Sequence, residues 1–113
     1  MDAGLPKRER LCGKKTVEAL FTQGKSLHAG CLRLRYCERS DDAPARMMVS
    51  VPKRHFKRAV KRNLLKRRLR ERYRRQKALA GGGKDLLFIY LPREVLPYET
   101  IFADMTALLE RLS

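Results

Sequence analysis

Two short segments of the chain, residues 31–36 and 46–51, alternate between hydrophobic and polar positions. Such alternation is typical of β-strands that bury one face and leave the other open. The side chains predicted to face the core are Leu32, Leu34, Tyr36, Met47, Val49 and Val51. The side chains on the opposite, outward face are Arg33, Arg35, Arg46, Met48 and Ser50. Because a turn-like stretch at residues 40–44 separates the two segments, we expect them to pair as an antiparallel hairpin.

Other hydrophobic spacings predict two amphipathic helices and a buried strand. Positions 17, 20 and 21 follow the i, i+3, i+4 spacing of a short helix over residues 15–23, which Gly24 ends. An apolar stripe at positions 101, 105, 108 and 112 predicts a final helix. The continuous apolar run 86–91 indicates a central strand buried on both faces. With a further short strand suggested at residues 26–28, the order is helix, three strands, helix, strand, helix.

A long helix after the second alternating segment, from about Lys57 to Lys77, is predicted to carry most of the charge of the chain. Residues 53–77 include 14 Lys or Arg and one acidic residue, Glu71, which gives +13 of a total net charge of +15. A helix that only faces water usually mixes charges of both signs at i, i+4 spacing. This basic helix is therefore predicted to bind a polyanion, with nucleic acid favoured over an acidic membrane or protein.

The basic helix divides into faces when each residue advances by about 100° around the axis. Leu65, Leu69 and Tyr73 form the stripe expected to pack on the sheet, and Val60 with Leu64 forms a second pair expected under the preceding loop. The flanking arc, which is predicted to contact RNA, consists of Asn63, Lys66, Arg67, Arg70, Arg74 and Lys77. Arginine suits this role because its planar fork grips phosphate and stacks on bases. For Asn63, a recognition role and a side chain that only faces water stay equally open.

Composition narrows the class of protein. A chain of 113 residues is expected to form one domain, with residues 1–13 as a flexible N-terminal segment. Neither a signal peptide nor a membrane span is readable, so a cytoplasmic protein is expected. The three cysteines, Cys12, Cys31 and Cys37, lack a CxxC pair and are predicted to be reduced thiols. Because no nucleophile and base pair or phosphate loop is readable, no protein active site and no protein-bound cofactor or metal are predicted.

The residues on either side of the basic helix start resemble a known family. Ser50-Val51-Pro52-Lys53-Arg54 and the run from Ala59 to Glu71 resemble the signature of the bacterial ribonuclease P protein subunit. That signature is a strand ending in S-V, a basic pair, then A-V-x-R-N-x-x-K-R-x-x-R-E. Further segments that fit are Leu5-Pro6-Lys7, Arg10-Leu11, the helix end at 21–24, and the final strand and helix. The resemblance thus covers essentially the whole chain.

The resemblance implies a fold and a function. The fold is of the α+β class, a two-layer α/β sandwich of order αβββαβα similar to ribosomal protein S5 domain 2. It contains a left-handed β-α-β crossover, against the usual right-handed preference. Members bind ribonuclease P RNA and precursor tRNA, and assist endonucleolytic removal of the 5′ leader. The chain is therefore expected to be a subunit of this endoribonuclease, with the catalytic centre and Mg²⁺ in the RNA and no membrane or obligate protein partner.

Carried over residue by residue, the resemblance assigns two contact surfaces. The residues expected to contact ribonuclease P RNA are Lys53, Arg54, Arg62, Asn63, Lys66, Arg67, Arg70 and Arg74. The residues expected to line a 5′-leader cleft, between the first helix and the open sheet face, are Val17, Phe21, Arg33, Arg35, Met48 and Ser50. The family often has aromatic residues at positions 17 and 35, so Arg35 shifts the expectation from base stacking toward phosphate contact. Phe21 stays open between stacking on a leader base and packing in the core.

Two other functions stay open at this point. A ribosomal or general RNA-binding protein of the same fold class is the first, and it should not distinguish precursor from mature tRNA. A DNA-binding module is the second, although no helix-turn-helix precedes the basic helix. Competition between duplex DNA and structured RNA would separate these classes.

Overall fold

A four-stranded mixed sheet organises the part of the chain that the computed structural model describes, residues 14–38 and 44–112. The strands are β1 (Lys25–Ala29), β2 (Leu32–Glu38), β3 (Arg46–Ser50) and β4 (Lys84–Tyr90). The helices are α1 (Lys14–Gln23), α2 (Ala59–Gln76) and α3 (Tyr98–Leu112), with a short 3₁₀ turn at Lys77–Ala80. The predicted order αβββαβα is confirmed, including the short additional strand β1. The predicted flexible segment 1–13 and Cys12 lie outside the described residues.

The predicted hairpin between β2 and β3 is wrong. The strand order is β1-β2-β4-β3, so β4 lies between them and pairs antiparallel with β2 and parallel with β3. β4 takes this central place because its apolar run needs cover on both faces and a neighbour on both edges. α2 connects the parallel neighbours β3 and β4, which is the crossover unit that the family resemblance implies.

One face of the sheet packs against α2 and α3 to form the main core. Every predicted inward residue of β2 and β3 lies there, fully buried except for the half-buried Tyr36. The predicted stripe of α2, Leu65, Leu69 and Tyr73, is buried against it, with Ile101 and Met105 of α3 beside them. Alternate positions of a strand lie on one face of the sheet, and positions i and i+4 lie on one face of a helix. The apolar side chains of these two faces therefore meet in one core.

The other face of the sheet is covered in part by α1. Leu20 packs on Leu87 of β4 in a small separate cluster, to which Met48 and Ile89 contribute partly buried side chains. The remainder of this face is open among the described residues. The side chain of Arg33 on β2 is exposed there. The outward face predicted from alternation is therefore confirmed, and α1 forms one wall above it.

The start of α2 differs from the prediction in two ways. The helix begins at Ala59 rather than near Lys57, because the Arg62 guanidinium binds the carbonyl oxygens of Phe56 and Lys57 and holds them in the preceding loop. Val60 was expected under that loop, but it is 79% exposed. The loop buries Phe56 instead, and Phe56 fills the space near Tyr90.

The turn between β1 and β2 is tied to α3. Gly30 has a φ of +53°, a left-handed conformation that favours glycine, and a Cβ there would collide with the Asp104 carboxylate. The backbone N–H of Cys31 donates to that carboxylate at 2.9 Å. Burial, together with Asp104, raises the pKa of the Cys31 thiol to about 12, so it stays protonated at neutral pH. Cys31 and the half-buried Cys37 are both free thiols, in agreement with the prediction.

Candidate nucleic-acid interface

The exposed flank of α2 gathers the predicted RNA-contacting arc. At about 100° per residue, Asn63, Arg67, Arg70 and Arg74 fall within a sector of about 60°. Asn63, Arg67 and Arg74 are exposed, whereas Lys66 and Arg70 are half-buried at its edge. Arg72 packs over the Tyr98 ring of α3 on another side of the helix, so this arc faces away from α3. The arc is therefore open to a partner along the length of the helix.

The side chains of the arc differ in what they already bind. Glu71 accepts hydrogen bonds from Arg74 at 2.7 Å and from Arg75 at 3.0 Å, which holds the pKa of this carboxyl below its ordinary value. Among the described residues, the side chains of Asn63 and Arg67 form no hydrogen bond or ion pair. The arc thus presents uncompensated positive charge near its middle and a partly neutralised end at Arg74.

Arg62 lies outside the exposed sector. It is half-buried, and its Nη1 donates to the carbonyl oxygens of Phe56 at 2.7 Å and of Lys57 at 2.9 Å. Lys53 and Arg54 are exposed on the turn that follows β3, beyond the N-terminal end of the helix. Lys53 and Arg54 thus precede α2 in an exposed turn, while Arg62 anchors the loop between them and the helix.

The residues predicted to line a cleft lie where α1 meets the open face of the sheet. The strand register aligns His28, Arg33, Ile89 and Ser50 in one row across the sheet. The next row consists of Ser26, Arg35, Leu87 and Met48. All predicted cleft residues on β2 and β3 therefore lie on one surface, with a basic half on β2 and a largely apolar half on β4 and β3. Val17, the remaining predicted cleft residue on α1 besides Phe21, is half-buried.

Phe21 is a surface residue at the rim of this cleft. Its side chain is 52% exposed, which removes the alternative that it packs in the core. The Arg35 guanidinium carbon lies 5.5 Å from the centre of its ring, within cation–π range. One face of the aromatic ring is thus supported by a cation while much of the ring stays accessible.

Arg35 is an internal clamp on α1. Its Nε donates to the Leu20 carbonyl at 3.0 Å, and its Nη2 donates to the carbonyls of Phe21 at 2.8 Å and Gly24 at 3.3 Å. These carbonyls lie at the C-terminal end of α1, where the helix dipole favours a cation. Arg35 thus fixes the helix end that carries Phe21, a role that the sequence pattern did not indicate.

One residue on the accessible part of this face, the partly buried Ile89, was not predicted from the sequence. The run 86–91 is apolar at every position, so it gives no reason to prefer one face for the odd-numbered residues. Applying the period of two along β4 would have placed Ile89 beside Ser50, once the neighbouring strands were known.

Within residues 14–38 and 44–112, no group of three or more His, Cys, Asp or Glu side chains is arranged to hold a metal ion. No helix in that part of the chain is long and apolar enough to cross a membrane. The buried Asp85 of β4 accepts two hydrogen bonds of 2.9 Å from the half-buried Arg46, which joins β4 to β3. This carboxylate is therefore engaged in holding the sheet together.

The fold and this surface define a class: a small α/β domain with a polycationic helix beside an open, partly basic sheet face. Comparison with known proteins identifies the family. A family model described as Ribonuclease P matches residues 5–113. The chain belongs to the ribonuclease P protein family, as the sequence resemblance predicted.

Individual relatives agree with this assignment. The chain is 44% identical over 78 residues to the ribonuclease P protein component of Porphyromonas gingivalis, a match that spans 67% of this chain and 57% of that relative. It is 35% identical over 126 residues to the corresponding protein of Chlorobaculum tepidum, covering 96% of this chain and 82% of the relative. The solved structure of the Thermotoga maritima RNase P protein superimposes with a TM-score of 0.82 at 28% identity, covering 94% of this chain and 99% of that one. The predicted α/β sandwich is therefore confirmed.

Proposed function

We propose that this protein is the protein subunit of ribonuclease P and acts in endonucleolytic removal of the 5′ leader from precursor tRNA. Family membership supports the activity, and the exposed arc of α2 supports the mode of action. The observation that carries the proposal is the position of Asn63 and Arg67, which are exposed and lack partners among the described residues. In this proposal the arc, with Lys53 and Arg54, binds the ribonuclease P RNA.

The leader of precursor tRNA binds, in this proposal, along the open face beside α1. A single-stranded nucleic acid needs cations for its phosphates and flat apolar surface for its bases. Arg33 supplies an exposed cation, and Phe21 supplies an accessible ring at the rim. Ser50 and Met48 contribute a hydroxyl and an apolar side chain on the far side of the same rows. This arrangement suits a strand that passes between α1 and β3.

In this proposal, the catalytic step and the binding of RNA belong to different subunits. We place phosphodiester hydrolysis in the RNA subunit with its Mg²⁺, which supplies the activated water and stabilises the leaving group. The chain binds, orients and neutralises the two RNAs. Because its partner and substrate are cytoplasmic RNAs, we place the complex in the cytoplasm, with no obligate protein partner.

Reconstitution with the cognate ribonuclease P RNA tests this function. At low Mg²⁺ the protein should stimulate leader removal, and it should raise affinity for precursor over mature tRNA. The matched control is the Arg67→Gln, Arg70→Gln double variant, which should stay folded and stimulate less. Absence of stimulation by the folded wild-type protein would contradict the proposal. Equal affinity for precursor and mature tRNA would instead favour a general RNA-binding protein.

A further inference from the structure

A basic groove lies on the side of α2 opposite the arc. This groove, of about 390 Å³, separates the N-terminal end of α2 from the loop after β4. Its lining includes the cations Lys57, Arg58, Lys61 and Arg93 and one carboxylate, Glu94. Lys61 is about 200° around the helix from Asn63, so the groove and the arc face different directions.

The cations of the groove lack internal partners. Among residues 14–38 and 44–112, none of the four side chains has a hydrogen bond or ion pair, and all four are exposed. Placing them around one concavity adds mutual repulsion that a bound anion would relieve. Two further features favour a bound anion. Arg58, the residue before α2, makes no side-chain hydrogen bond to the backbone N–H groups at the helix start. His55, in the lining of the groove, has a buried Nδ1 without a partner among the described residues.

Both walls of the groove are held in place from beneath. Arg62 fixes the wall at Phe56 and Lys57 through two carbonyl contacts. The Tyr90 hydroxyl fixes the other wall, since it donates to the Glu94 carbonyl at 2.7 Å and accepts from the Leu96 N–H at 3.0 Å. The rings of Phe56 and Tyr90, with centres 6.1 Å apart, join the two walls. A ligand would therefore meet a site already formed, which reduces the ordering cost of binding.

We propose that this groove binds phosphate groups of the RNA partner, as a contact separate from both the arc and the cleft. Lysine supplies compact charge and arginine a planar fork, which together suit a phosphate approached from several sides. This assignment rests on the proposed function in one respect, that RNA is the partner. It adds that the RNA contacts both sides of the N-terminal half of α2.

Salt dependence of binding to the cognate ribonuclease P RNA tests the proposal, because each phosphate contact adds about 0.7 to 0.9 to the slope of log K against log salt. The groove variant is Lys61→Gln with Arg93→Gln, and the arc variant is Arg67→Gln with Arg70→Gln. The off-site control with the same charge loss is Lys25→Gln with Arg111→Gln, at the β1 edge. Circular dichroism and urea unfolding check that each variant folds. A second groove variant, Lys57→Gln with Arg58→Gln, replaces the first if that one is unstable.

The proposal expects the groove variant to lower the slope by about 1.4 to 1.8, as the arc variant does, and the combination by about 2.8 to 3.6. The off-site control should retain the wild-type slope. A groove variant that behaves like the off-site control, while the arc variant loses slope, would overturn the groove alone. Loss of slope in neither variant would overturn the proposed function as well. Saturable binding of inorganic phosphate to the groove without any slope change would assign it to a free anion and reject the RNA contact.

Discussion

The arginines that lie where elements meet and the arginines on the exposed surfaces have the same side chain. They differ in burial and in what they bind. The anchoring arginines, Arg35, Arg62 and Arg72, bind backbone carbonyls of α1, of the loop before α2, and of α2 itself. The surface arginines are Arg33, Arg54 and Arg67, which are exposed and bind none of the described residues. A high density of arginine in this chain therefore reflects two separate tasks, holding elements in place and meeting a polyanion.

The largest effect is expected at Arg72, the most buried of the anchoring arginines. It is 4% exposed, stacks over the Tyr98 ring at 4.0 Å, and donates to the Arg68 carbonyl, while burial lowers its pKa. Arg72→Ala removes this packing and should cost about 2–4 kcal/mol of unfolding free energy. Arg72→Met keeps the volume and removes the buried charge, so it should be nearly neutral or stabilising.

Urea unfolding of the two Arg72 variants decides between packing and charge. A Met variant as unstable as the Ala variant would show that the charge itself stabilises the interface of α2 and α3. The RNA affinity of either variant, measured where it is folded, should match the wild type, because Arg72 does not reach the exposed flank.

The next effect separates Arg35 from its neighbour Arg33. Arg35→Gln removes the contacts to the end of α1 and should cost about 1–3 kcal/mol, because hydrogen bonds to charged groups are stronger than neutral ones. Arg33→Gln should change stability by less than about 0.5 kcal/mol. Both should reduce the preference for leader-bearing tRNA, Arg35 by displacing Phe21 and Arg33 by losing a cation.

Unfolding midpoints and binding of precursor and mature tRNA distinguish the two roles. If Arg33→Gln were the more destabilising variant, the division between anchoring and surface arginines would not hold on the sheet face. If Arg35→Gln kept the full leader preference despite a loosened α1, Phe21 would not depend on the clamp.

A similar pair on α2 compares Arg62 with Arg67. Arg62→Ala frees the carbonyls of Phe56 and Lys57 and should cost about 1–2 kcal/mol of stability. Arg67→Ala should leave stability within about 0.5 kcal/mol and lower the salt slope of RNA binding by about one. Parallel measurements of unfolding and of salt-dependent affinity test both. An unchanged slope for Arg67→Ala would remove it from the interface.

The smallest effect is expected at Glu71, the carboxylate that accepts hydrogen bonds from Arg74 and Arg75. Hydrogen bonds from Arg74 and Arg75 lower the pKa of the Glu71 carboxyl. The stability that these hydrogen bonds contribute is therefore fully present above the unfolded pKa of the carboxyl, and it is lost as the pH falls through the folded pKa. Glu71→Gln should therefore remove that acidic pH dependence. It should also slightly tighten RNA binding, because Arg74 is released; weaker binding would indicate that Glu71 positions Arg74 for its contact.

The fold was predictable from the sequence wherever a local period determines the outcome. The stripe of Leu65, Leu69 and Tyr73, the alternation of β2 and β3, and the element order followed from spacing alone. The strand order did not, because alternation specifies which face of a strand is buried and not which neighbour it pairs with. The position of Ile89 beside Ser50 depends on that order, so its place on the open face was missed as well.

The candidate site was predictable in outline and less so in detail. The location of charge on one helix and the family signature gave the arc and the cleft. The anchoring role of Arg35 and Arg62 depends on carbonyls contributed by other elements, and no pattern within β2 or α2 encodes them. The groove beside Arg93 was missed for the same reason, since it joins residues more than 30 positions apart in the chain.

The central position of β4 determines when this protein can fold during its synthesis. Ribosomes add about 5–20 residues per second and release the N-terminal part of a chain first. β2 and β3 leave the ribosome before β4, yet β3 and one edge of β2 take their strand hydrogen bonds from β4, which ends at Tyr90. Until that strand emerges, the basic helix has no complete sheet to pack on. The polycationic surface and the core that supports it are therefore completed together, only after β4 has been synthesised.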